Sequence, residues 1–162
     1  MKPARSADIL RRLAADQVEF IVVGMTAGVL QGVPVTTVDL DVVHRRSEEN
    51  ITRLLRVLAD LDAVYRNDPR NLRPTQSYLA SPGHQLLTTS LGDMDCLGTI
   101  DGDRSYEDLL PRTVELALAD GSRLRVLELS ALIESKERVA RPKDLAVLPY
   151  LRATLDEIRR GR

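Results

Sequence analysis

Asp39 and Asp41 are two residues apart in Val38-Asp39-Leu40-Asp41-Val42-Val43. In a strand this spacing sets both carboxylates on one face, roughly 7 Å apart at their roots. Val38, Leu40 and Val42 then point to the other face, toward a core. Two like charges side by side repel one another unless they face water or a cation. A pair of Mg²⁺ or Mn²⁺ ions, about 3.5–4 Å apart, would use such carboxylates. An acidic but idle strand face would carry the same spacing, so Asp-x-Asp alone decides nothing.

The neighbouring segments add to the pair. Val22-Val23-Gly24-Met25-Thr26-Ala27 reads as a strand that breaks at a glycine into a helix. A helix N-terminus offers free N–H groups and a partial positive charge, which suit a phosphate. Gly24 would let the backbone approach closely, and Thr26 could add a hydroxyl. Further on, Asp93 and Asp95 share one face of a strand, with Met94 and Cys96 on the other. The pattern alone does not separate them. Asp93 is explained as a turn residue, whereas an aspartate inside a strand needs a reason. Asp95 is therefore preferred as the third carboxylate and as general base for an incoming hydroxyl.

The elements that must position these residues follow from periodicity. Helices are expected over Ser6 to Asp16, Thr26 to Gln31, Ser47 to Leu61, Tyr106 to Leu110, Leu129 to Val139 (capped by Ser130) and Pro142 to about Arg160. Strands are expected over Glu19 to Val23 and Val38 to Val43. A hairpin is expected from Gln85 to Ile100, turning at Gly92-Asp93, and another from Val114 to Leu127 across Asp120-Gly121. Asn67 to Ser81 reads as a long polar loop. The result is an α+β (mixed α/β) chain with a mixed sheet of about five strands and a C-terminal helical pair. One domain is expected over residues 1–162, with its core at about 14–128 and the helical pair at about 129–160.

Composition removes several classes of function. Hydrophobic residues make up 43% of the 162 residues, enough for a core, but aromatics are 3%, too few for a base-stacking platform. The 23 basic and 24 acidic residues leave a net charge of −1, which gives no reason to expect duplex DNA or a membrane surface as partner. A lone Cys96 makes no internal disulfide, and a cytoplasmic setting is expected. The charged segment from Met1 to Ala15 has no apolar stretch of a signal peptide, and no apolar run approaches the ~18 residues of a membrane span. His44 and His84 read as solvated strand ends, and with one Cys they make no zinc site.

The segment from Phe20 through Gly24-Met25-Thr26-Ala27 to Asp39-Leu40-Asp41 resembles the nucleotidyltransferase superfamily that includes DNA polymerase beta and the aminoglycoside nucleotidyltransferases. Gly92 to Asp95, Leu132-Ile133 with Lys136, and Arg141 with Lys143-Asp144 are similar to the bacterial toxin and antitoxin branch. The resemblance spans about Ala14 to Leu151. It implies the nucleotidyltransferase fold, an NTP substrate, Mg²⁺ or Mn²⁺ held by Asp39, Asp41 and Asp95, and transfer of a nucleoside monophosphate to a hydroxyl on a small molecule, RNA end or protein. It further implies a triphosphate cradle at Gly24, Met25 and Thr26, with Thr37 matching the pattern, and phosphate contacts from Lys136 and Lys143. Surface or structural ion pairs, Lys136 with Glu134 or Asp144 and Lys143 within its own helix, are the competing reading of the lysines. Met25 stands where the family has a second small residue, and Val35 where an Arg is often found. These departures leave a second expectation, an inert binding module such as an antitoxin-like or regulatory partner in a toxin–antitoxin pair.

Overall fold

A computed structural model describes residues 5–161. Residues 1–4 of the charged N-terminal segment lie outside them. Seven helices and seven strands alternate in an order that makes one mixed sheet. The helices are α1 (Ser6–Ala15), α2 (Gly24–Leu30), α3 (Glu48–Asp60), α4 (Gln76–Ala80), α5 (Tyr106–Leu109), α6 (Leu129–Val139) and α7 (Pro142–Arg159). The strands are β1 (Phe20–Val23), β2 (Asp41–His44), β3 (Val64–Tyr65), β4 (His84–Thr89), β5 (Gly92–Leu97), β6 (Thr113–Ala117) and β7 (Arg123–Leu127). A short 3₁₀ turn, Leu110–Arg112, leads into β6.

The sheet order is β3-β4-β5-β2-β1-β7-β6. β2 is central, antiparallel to β1 and parallel to β5. β7 runs parallel to β1 on the far side. β1 is an apolar run, Phe20 to Val23, buried on both faces, as a central strand between helices should be.

The buried cluster runs from Ile9, Leu10 and Leu13 of α1 through both sheet faces to Leu148 and Leu151 of α7. α3 shows how the sequence builds it. Ser47 caps the helix by accepting from the Asn50 N–H, and Ile51, Leu54, Val57 and Leu58 recur at helical spacing and are fully buried. Each such side chain contributes roughly 1.5–3 kcal/mol by leaving water. No helix among the described residues is long and apolar enough to cross a membrane.

Several expectations are corrected. The sheet has seven strands rather than about five, because the two-residue β3 carries too little pattern to read and the β6–β7 hairpin joins the same sheet. The expected loop from Asn67 to Ser81 contains α4, capped by Thr75. β2 begins at Asp41, so Asp39 precedes it and Val38 is exposed rather than core. The β4–β5 turn is Ser90-Leu91, which puts Asp93 inside β5. α6 is preceded by Glu128 at its cap position, with Ser130 already in the helix. His44 is buried rather than solvated, and its Nε2 bonds the Leu79 carbonyl at 2.8 Å. Burial is the main cause lowering its pKa, which favours the neutral ring.

The end of β5 is sealed by a glycine. A Cβ on Gly98 would lie 2.3 Å from the Ser81 carbonyl oxygen and 2.8 Å from the Pro82 carbonyl carbon, both backbone atoms. Gly98→Ala is therefore expected to destabilise the protein by about 1–3 kcal/mol, the range for overpacking. Urea unfolding of the two proteins checks this, and an unchanged midpoint would contradict the close approach.

Candidate active site

The central strands deliver their carboxylates to one cleft. Asp41, first in β2, is the register partner of Asp95 in parallel β5. The Asp95 N–H donates to the Leu40 carbonyl at 2.9 Å, locking β5 against the segment that carries Asp39. Side by side in register, the two carboxyl groups repel one another as anions. Asp41 is pushed up to about 7, first by burial and then by the charge and hydrogen bond of Asp95 and the charge of Asp39, with Lys136 opposing.

The cleft has a volume of about 400 Å³ and is lined by Gly24, Asp39, Asp41, Asp95, Lys136 and Lys143 among others. Six of the nine residues expected from the sequence thus meet there. Gly24 takes φ +65, and a Cβ on it would lie 2.8 Å from Asp41 Oδ2. The glycine is required both by its left-handed backbone and by the space for that carboxylate.

Met25, Thr26 and Thr37 do not line the cleft. Met25 packs against the core. Thr26 is buried and its hydroxyl donates to the Asp39 carbonyl at 2.5 Å. The Thr37 hydroxyl accepts from the Asp39 N–H at 3.3 Å. Both threonines brace Asp39 through its backbone, on opposite sides of its α-carbon. The turn offers a phosphate only main-chain groups.

Lys136 lines the cleft and also pairs with Asp144 at 3.0 Å. Asp144 is wholly buried under α6 and also accepts from Arg141 Nε at 2.8 Å. Burial alone would raise its pKa, but the hydrogen bonds from Arg141 and Lys136 outweigh that and hold it at about 2. The competing structural reading of Lys136 therefore holds for its partner. Lys143, at the start of α7, is exposed and is the one cleft-lining Lys or Arg without a carboxylate partner among the described residues.

Arg66, one residue after β3, was not evident in the sequence. Its Nη2 donates to Asp95 Oδ1 and to the Leu87 carbonyl, each at 2.7 Å, and its Nε lies 3.2 Å from Asp93 Oδ2. Asp93 is buried, so Arg66 compensates two carboxylates on one strand face. The alternation of Asp93 and Asp95 was visible, but nothing local marks the arginine that answers them.

Hard oxygen donors suit Mg²⁺ or Mn²⁺. Asp41 and Asp95, beside a glycine that leaves space for the Asp41 carboxylate, stand where a cation would offset their repulsion. Asp39 is exposed and ahead of the strand. Among the described residues no group of three or more His, Cys, Asp or Glu side chains has the geometry of a metal site. Asp41 and Asp95 could thus hold a cation between them, and Asp39 lines the same cleft.

No family model matches the sequence, and no curated protein matches it. Among solved structures, one of a Thermotoga maritima protein described as a candidate nucleotidyltransferase superposes with a TM-score of 0.57 at 19% identity, covering 94% of this chain and 91% of that one. Agreement over nearly the whole of both chains shows that this protein shares the fold of that structure.

Proposed function

We propose that the protein is a Mg²⁺- or Mn²⁺-dependent nucleotidyltransferase that moves a nucleoside monophosphate from an NTP to a hydroxyl. The observation that carries this is the register pairing of Asp41 with Asp95 in a cleft whose other wall holds Lys136 and Lys143. Asp39, Asp41 and Asp95 would hold the metal. Bound there, it would polarise the α-phosphate and offset charge on the departing pyrophosphate. Lys143 would meet the phosphates, with the N–H groups at Gly24 close by. The acceptor hydroxyl forms the new O–P bond, the bond to pyrophosphate breaks with its electron pair, and the hydroxyl proton passes to Asp95. Arg66 holds Asp95 Oδ1 and so orients that carboxylate.

The pH dependence follows from Asp41. A cation would displace the proton that Asp41 holds below about 7, so binding is expected to release protons and to strengthen as pH rises toward about 7. Calorimetry of Mn²⁺ with a non-hydrolysable NTP analogue, run in two buffers of different ionisation enthalpy, checks it. Binding without proton release at pH 6 would contradict the proposal.

A second reading has an observation of its own. The Thr26 hydroxyl is committed to Asp39 and Met25 to the core, so the phosphate-side turn is poorer than the family pattern. An inert module of this fold, such as an antitoxin-like or regulatory partner in a toxin–antitoxin pair, would need no more. Absence of any nucleotide binding in the same calorimetry would favour it.

A further inference from the structure

The acceptor half of the cleft has a composition that the nucleotide half lacks. On β4, His84 and Leu86 alternate with buried Gln85 and Leu87, so they share the sheet face that carries Asp95. Leu86 is the register partner of Asp95 and is 45% exposed. Val139, on α6, lines the same cleft and is 49% exposed. Leu86 and Val139 thus offer apolar surface in the cleft that carries the carboxylates. His84 is exposed, and its ring contacts the Thr99 carbonyl through Nε2 at 2.9 Å. A carbonyl only accepts, so Nε2 is the donor there, and in that tautomer of the uncharged ring Nδ1 is an acceptor.

Charge narrows the class of ligand. Asp95 is answered by Arg66, and Asp101, the remaining cleft carboxylate beyond Asp39 and Asp41, by Arg138 and Ser135. With Asp39 and Asp41 assigned to the metal, no further unpaired carboxylate lines the cleft among the described residues for the ammonium groups of a polycation. Arg66, Lys136 and Arg141 are likewise committed to carboxylates and Lys143 is assigned to the triphosphate, so among the described residues the cleft lining holds no further cation for a polynucleotide.

Resting on the function proposed above, we propose that Leu86 and His84 form the acceptor seat and select an uncharged, hydroxyl-bearing ring compound. Leu86 supplies the apolar floor, and His84 Nδ1 accepts from a hydroxyl other than the reacting one.

The test uses the full chain, labelled at leucine methyls and histidine rings for NMR. The probes are phenyl β-glucoside, kanamycin and a short oligoribonucleotide, each added with and without Mg²⁺ and a non-hydrolysable NTP analogue. Phenyl β-glucoside is expected to shift the Leu86 methyls and His84 Hε1 with the analogue bound, at least tenfold more tightly than kanamycin or the oligonucleotide. Leu86→Ala, which adds no charge beside Asp95, is expected to weaken the glucoside at least tenfold while the analogue still binds. Shifts confined to other residues, displacement of the glucoside by the analogue, or tighter binding of either other probe would overturn the seat alone. Failure of the analogue itself to bind would overturn the underlying function and the seat with it.

Discussion

Asp41→Asn is expected to abolish metal-dependent nucleotide transfer while making the protein more stable at pH 8. Losing a metal ligand removes a contribution of several kcal/mol to the transition state, so a rate loss of about 10³-fold or more follows. The stability gain has the opposite origin. The folded protein holds Asp41 at about 7 against 3.8 for an ordinary aspartate. The folded state therefore binds a proton that the unfolded state has already released. The contribution of this carboxyl to stability is therefore fully present below about pH 4, falls as pH rises from 4 to 7, and is lost above that. Asparagine carries no charge to bury, so the variant escapes that penalty, on the order of 3 kcal/mol at pH 8. Urea unfolding at pH 5 and pH 8, beside a transfer assay, checks both halves. A variant that is active, or no more stable than wild type at pH 8, would contradict the role given to Asp41.

Asp144→Ala is expected to be the most damaging change away from the cleft floor, at about 3–5 kcal/mol. It strips the partner from Lys136, whose side chain is only 16% exposed, and from Arg141. The wild-type contribution is present above the ordinary aspartate pKa and is lost as pH falls through about 2, so it is intact at neutral pH. Lys136→Met with Asp144→Leu, which removes both buried charges together, is expected to recover most of the stability but not the activity. Thermal unfolding of the single and double variants separates these effects. Equal loss in both would show that packing rather than charge holds α6 to α7.

What could be read from the sequence follows the distance over which the signal acts. Asp39, Asp41, Asp95 and Gly24 were legible because a two-residue alternation and a glycine break are local patterns. Arg66 was not, because its tie to Asp95 spans 29 residues and depends on the β3–β4–β5 pairing, which begins with a strand of two residues. His44 was misread because the carbonyl that satisfies it comes from Leu79 in α4, a five-residue helix too short to show a period. Thr26 was assigned to phosphate from its place after the glycine. Its hydroxyl instead reaches 13 residues ahead to Asp39, a choice made by the packing of α2 on the segment before β2.

The central position of β2 has a bearing on how the cleft comes into being. β1 and β2 can zip together early, since only α2 and a short connection part them. The β2–β5 pairing closes a loop of about fifty residues and carries the entropic cost of doing so. Until that step is complete, Asp41 has no Asp95 beside it. On the function proposed above, a nascent or partly folded chain would offer no grip to a cation or nucleotide, and occupancy of the cleft would report on the completed β2–β5 pairing.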